Sequence, residues 1–149
     1  MNKLVGEQFL GHDGPLNFKD IENAKVVGIY FSAHWCPPCR DFTPKLAAAF
    51  TDAINKKLPV QIIFASLDSN EKTFKEYFAT MPWIALPYQD HKIEELKSKF
   101  GVPGIPMLVI VDKNGKLITI EGRAGINNSG SKAFEDWIDE YEAMNQEIT

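Results

Sequence analysis

Val26-Val27-Gly28-Ile29-Tyr30-Phe31 is an unbroken apolar run, and it gives way to a stretch in which Phe42, Leu46, Phe50 and Ile54 recur every four residues. A short continuous apolar run reads as a strand covered on both faces. A period of four reads as a helix with one buried stripe, here running to about Lys57. The same change of period then returns along the chain. Val60 to Leu67 is a second buried strand, and Phe74, Tyr77, Phe78 and Met81 share a helical face stopped by Pro82. Ile93, Leu96 and Phe100 mark another helix, ended by Gly101 and Pro103. Ile105 to Val111 and Leu117 to Glu121 are further strands, joined by Asp112-Lys113-Asn114-Gly115, a hairpin signal because Asn-Gly tolerates positive φ. Phe134, Trp137, Ile138 and Tyr141 then follow i, i+3, i+4, i+7 on a closing helix. Strands joined through helices pair parallel, and a tight hairpin pairs antiparallel. The expectation is an α/β fold, a mixed central sheet with helices on both faces. Upstream, Phe9-Leu10 and Leu16-Phe18 flank His12-Asp13-Gly14-Pro15, which predicts a small edge hairpin. Residues 1–149 thus read as a single domain, with 1–25 as its hairpin extension.

Composition excludes several classes. With 16 Lys+Arg against 20 Asp+Glu the formal charge is −4, and no basic cluster offers a nucleic-acid face. The longest apolar runs, Val26 to Phe31 and Ile105 to Val111, are too short to cross a bilayer. The first residues, Met1 to Gln8, are interrupted by charge before a signal-like stretch forms. An unexported, cytoplasmic protein is expected. Two cysteines are too few for a secreted disulfide scaffold.

Those two are Cys36 and Cys39, enclosing Pro37-Pro38 where the first core strand yields to the long helix. A thiol at a helix N-terminus meets unpaired backbone N–H groups and the positive end of the helix dipole, which favour thiolate. A second thiol one turn on is placed to attack a mixed disulfide formed at the first. Position assigns the roles: Cys36, at the helix mouth, is expected to be exposed and to attack, and Cys39 to resolve. The prolines fit a first turn, where a missing N–H costs little. A zinc site would need four ligands, and His12, His34 and His91 show no paired spacing, so no metal is expected.

The motif Trp35-Cys36-Pro37-Pro38-Cys39-Arg40 resembles that of thioredoxin-fold proteins, specifically the tryparedoxin and nucleoredoxin branch. The similarity extends through Tyr30 to Ala33, Phe42-Thr43-Pro44, Met81-Pro82-Trp83 with Pro87, and Gly104-Ile105-Pro106 leading into Leu108-Val109, covering roughly residues 9 to 125. It implies a thioredoxin-like fold and a thiol–disulfide oxidoreductase that needs no bound cofactor. It also implies a cis Pro106 facing the dithiol, Ile105 offering its backbone to an extended substrate, and Trp35 as a flat contact surface beside the sulfur. Met107 stands where the family more often has threonine, and Pro44 matches a helix-kinking proline. The implied partners are a disulfide-containing protein substrate and a low-molecular-weight dithiol or reductase donor, with the protein itself a monomer. The rival reading is a redox-sensitive binding module of nucleoredoxin type, in which the cysteines gate an interface instead of turning over.

Departures leave some roles open. Thioredoxins carry a buried acid in the strand before the motif, and here that place falls to Tyr30. The proton acceptor for Cys39 is therefore not named; Asp68 is either that group or a solvated strand-end carboxylate. His34 reads as a bystander. Arg123 matches an arginine across the groove, where it either meets a substrate carboxylate or is a solvated strand-end residue. Leu67-Asp68-Ser69-Asn70-Glu71 stands in for an acidic stretch with a tryptophan that tryparedoxins use to bind a glutathione–polyamine dithiol. The fold and redox chemistry carry over; the specific reductant does not.

Overall fold

A computed structural model describes residues 1–148. In chain order the elements are α1 (Asn2–Val5), β1 (Gln8–Leu10), β2 (Pro15–Asn17), a 3-10 turn (Phe18–Asp20), β3 (Val26–Ser32), α2 (Pro37–Asn55), β4 (Val60–Ser66) and α3 (Glu71–Phe78). They continue with β5 (Ile84–Ala85), α4 (His91–Lys99), β6 (Met107–Asp112), β7 (Leu117–Thr119), α5 (Gly122–Ser129) and α6 (Lys132–Ile148). The seven strands form one sheet in the order β2-β1-β5-β4-β3-β6-β7. β3 pairs parallel with β4 and antiparallel with β6, and β4 pairs parallel with β5.

The two faces of the sheet follow from the period of two in β3. Val26 and Tyr30 point into a core shared with Phe42, Leu46 and Phe50 of α2, Phe74 and Tyr77 of α3, and Phe134 and Trp137 of α6. Val27, Ile29 and Phe31 point the other way, against Ile93 and Leu96 of α4 and Phe9 of the hairpin. β3 is buried along its whole length, as a strand covered on both sides must be.

The expected mixed sheet, covering helices and edge hairpin are all present, the hairpin joining the sheet through Leu10 opposite Ala85. Several local expectations are corrected. β5, a two-residue strand, is too short for any periodicity to reveal. Met81 lies beyond the end of α3, although it remains buried in the same core as that helix. At Asp112-Lys113-Asn114-Gly115 only Gly115 takes positive φ, at 86°. There the Asp112 carboxylate accepts from the N–H groups of Asn114 and Lys116 at 2.8 and 3.0 Å, so the turn is held by that side chain.

Candidate active site

β3, the central strand, ends at Ser32, and the loop Ala33-His34-Trp35 carries the chain into α2. Cys36 is the N-cap of that helix, with Pro37 and Pro38 in its first turn. The prolines have no N–H, and the Arg40 N–H is spent on the Cys36 carbonyl at 3.1 Å. Of the first-turn donors that usually face an N-cap side chain, only the N–H of Cys39 is left.

Both cysteines are free thiols. Cys39 is fully buried, and Cys36 is only 5% exposed, which corrects the expectation of an open nucleophile. The cause is packing: Ala33, Leu67 and Ile105 close around the pair. The Cys36 thiol donates to the Ile105 carbonyl at 3.8 Å, and the Ile105–Pro106 peptide bond is cis, as the resemblance implied. Pro106 is buried and Ile105 half-buried, so the strand-entry turn of β6 forms the wall facing the dithiol. Trp35 stands at the rim, 59% exposed, its indole N–H donating to the Leu67 carbonyl at 3.3 Å.

The environment separates the two sulfurs. Burial, with the neighbouring Cys36 thiol behind it, pushes the Cys39 thiol up to about 11, against a smaller opposing contribution from its hydrogen bond with Ser32. At neutral pH Cys39 is therefore held as the thiol.

Beneath Cys39 lies a chain of hydroxyls that the sequence reading did not single out. The Thr43 hydroxyl donates to the Cys39 carbonyl at 2.9 Å. The same oxygen lies 2.6 Å from the Tyr30 hydroxyl and 2.6 Å from that of Tyr77, and Tyr77 lies 2.7 Å from Ser32 Oγ. For its members on β3 and α2, though not for Tyr77, a signal was available in the spacing. Tyr30 and Ser32, two apart on a strand, share a face, and Cys39 and Thr43, four apart on a helix, share another.

Asp68 is neither a solvated strand end nor turned to Cys39. It is 5% exposed, and its carboxylate accepts from the His34 N–H and the Ser66 hydroxyl, each at 2.8 Å. It ties the loop entering the motif to the end of β4. His34 packs its ring against Tyr77, with centroids 5.4 Å apart. Arg123 is not at a strand end: it sits in the first turn of α5, and its guanidinium carbon lies 6.0 Å from the centroid of the Phe42 ring, a cation–π placement. Among the described residues no cluster of three or more His, Cys, Asp or Glu side chains is placed to hold a metal, and no helix is long and apolar enough to cross a membrane.

Comparison with known proteins agrees with this geometry. A family model described as thioredoxin-like matches residues 23–117. Probable nucleoredoxin 1 of Arabidopsis thaliana is 39% identical over 142 residues, 93% of this chain but 25% of that protein. Tryparedoxin I of Crithidia fasciculata superposes with a TM-score of 0.79 at 36% identity, over 87% of this chain and 92% of that one. A structure of tryparedoxin II with glutathionylspermidine gives 0.74 at 36% identity, over 83% and 85% of the two chains. The chain spans about a quarter of the length of the curated relatives it matches. With its Cys-Pro-Pro-Cys dithiol set against a cis-proline turn, the chain belongs to the thioredoxin-like family, in its tryparedoxin and nucleoredoxin branch.

Proposed function

We propose that this chain is a thiol–disulfide oxidoreductase that reduces protein disulfides, including that of a peroxidase, through Cys36 and Cys39. The single observation that carries this reading is the placement of both thiols in one buried cluster at the start of α2, with the Cys36 sulfur against the backbone of Ile105. The Cys36 thiolate attacks one sulfur of the substrate disulfide, that S–S bond breaks, and the leaving sulfur takes up a proton. Cys39, losing its proton, then attacks the Cys36 sulfur. The reduced substrate departs and an internal Cys36–Cys39 disulfide remains, to be reduced by a low-molecular-weight dithiol or a reductase. Glutathionylspermidine in complex with tryparedoxin II supports a low-molecular-weight thiol compound as donor.

In this reading Trp35 offers an apolar face to the substrate, and Ile105 offers its backbone beside Pro106. Arg123, exposed on α5 over Phe42, turns toward an acidic substrate group. The residues act as one thioredoxin-like unit over 1–149, as a monomer, in the cytoplasm, where a dithiol pair stays reduced.

The test is catalysed reduction of insulin by a small dithiol. Cys36→Ser is expected to abolish turnover, and Cys39→Ser to accumulate a covalent adduct with the substrate, visible on a non-reducing gel. Turnover surviving in Cys36→Ser contradicts the proposal. The near-complete cover over Cys36 favours a second reading, a redox-gated binding module. It gains if the parent protein fails to turn over while Cys36→Ser still binds its partner.

A further inference from the structure

Leu67 and Asp68, the first two residues beyond β4, grip the loop that leads into Cys36 at three points. The Leu67 N–H donates to the Ser32 carbonyl at 3.0 Å, and the Leu67 carbonyl accepts from the Trp35 indole N–H at 3.3 Å. Between them the Asp68 carboxylate accepts from the His34 N–H at 2.8 Å. Two of these bonds use the backbone of Leu67. Only the third needs a particular side chain at the end of β4.

Asp68 is itself fixed. It is 5% exposed, its second oxygen accepts from the Ser66 hydroxyl at 2.8 Å, and its own N–H donates to Ser66 Oγ at 3.0 Å. Among the described residues no lysine, arginine or histidine side chain pairs with it. A buried carboxylate is costly unless hydrogen bonds satisfy it, and one of the two that do so here ends on the N–H two residues before Cys36. An apolar side chain would fill the same space but leave that N–H without an acceptor. His34 and Trp35 are the central residues of a turn closed by the Cys36 N–H on the Ala33 carbonyl at 3.2 Å. Holding His34 therefore orients the turn from which Trp35 projects, 59% exposed, beside a cysteine that is 5% exposed.

We propose that Asp68 is a positioning residue that seats Trp35, and through it sets the preference of the dithiol for protein disulfides over small ones. A protein segment is large enough to lie on the indole while its disulfide reaches Cys36. A small disulfide reaches the sulfur without using that surface. The proposal rests on the reading of the chain as a disulfide reductase, and it names the residue that selects the substrate class.

The test sets Asp68→Ala, which removes the acceptor, against Asp68→Asn, whose amide oxygen accepts from the His34 N–H while its NH2 group donates to Ser66 Oγ. With insulin as substrate, Asp68→Ala is expected to raise KM about fivefold, the effect of one hydrogen bond, with kcat changed less than about twofold. The rate at which bis(2-hydroxyethyl) disulfide oxidises the reduced protein is expected to change less than about twofold, and Asp68→Asn to restore the insulin KM. A second readout needs no turnover. Trp83 and Trp137 are buried, so the fast part of the tryptophan anisotropy decay that a Trp35→Phe control lacks reports Trp35. Its amplitude is expected to grow about twofold in Asp68→Ala and to return in Asp68→Asn. Should near-UV circular dichroism show that Asp68→Ala does not fold, Ser66→Ala frees the other carboxylate oxygen and is expected to move both readouts the same way by about twofold. Equal losses with insulin and the small disulfide, an unchanged anisotropy decay, or an Asp68→Asn no better than Asp68→Ala overturn the proposal. If the parent protein does not reduce insulin, the reductase reading fails, and the anisotropy alone decides whether Asp68 seats Trp35.

Discussion

Cys36 and Cys39 are separated by one helical turn, and their surroundings divide the labour between them. Cys36 sits at the helix mouth beside the Ile105 carbonyl, whereas Cys39 is sealed beneath it, its thiol pushed up to about 11 chiefly by burial. A sulfur that attacks as thiolate from such a position is scarce at neutral pH, and its reactive fraction grows about tenfold per pH unit below its pKa. The breakdown of a preformed mixed disulfide on Cys36, followed by stopped flow, is therefore expected to accelerate steadily from pH 7 to pH 9. A pH-independent rate over that interval would contradict the burial argument. The dithiol was legible in the sequence because its spacing lies within one motif. The hydroxyl chain was not, because Tyr77 reaches Ser32 and Thr43 only after α3 folds over β3 and α2. Its ring read correctly as core, and nothing in helical spacing says where a phenolic hydroxyl ends.

Elements that carry an apolar period or a flanking turn signal were legible, and those with neither were not. β3, β4, β6, α2, α4 and α6 all lie where the apolar pattern placed them. α5 was missed because Gly122-Arg123-Ala124-Gly125 carries no apolar stripe, and its start is set by a close approach instead. A Cβ on Gly122 would stand 2.7 Å from the Leu108 carbonyl oxygen, so the helix begins flush against β6 only because that residue has no side chain. Gly122→Ala is expected to destabilise the fold by about 1–3 kcal/mol through overpacking, read from urea unfolding. An unchanged midpoint would show that α5 can shift without cost. The same misplacement explains Arg123, read as a strand end and found in a helical turn over Phe42.

At the scale of the whole molecule, the seven-stranded sheet buries its central strand under helices on both faces and presents the dithiol at one end of that strand. The groups raised by burial, Cys39, Tyr30 and Tyr77, keep their protons in the folded state at pH values where the unfolded chain loses them. Stability is thus level below the ordinary thiol value and falls as pH climbs from there toward the folded-state values. The reduced protein is expected to lose melting temperature between pH 9 and pH 11, and Cys39→Ser to lose less over the same range. A flat profile would contradict buried, protonated groups at these positions. The central claim is that Cys36 and Cys39 form a couple that cycles, and its most direct test is the reduction potential, measured by equilibration in defined thiol buffers with trapping of free thiols. The account expects a reversible couple between those of thioredoxin, about −270 mV, and glutaredoxins, about −200 to −230 mV. A pair that will not cycle, or one held oxidised below about −300 mV, would make the bond structural and contradict the account.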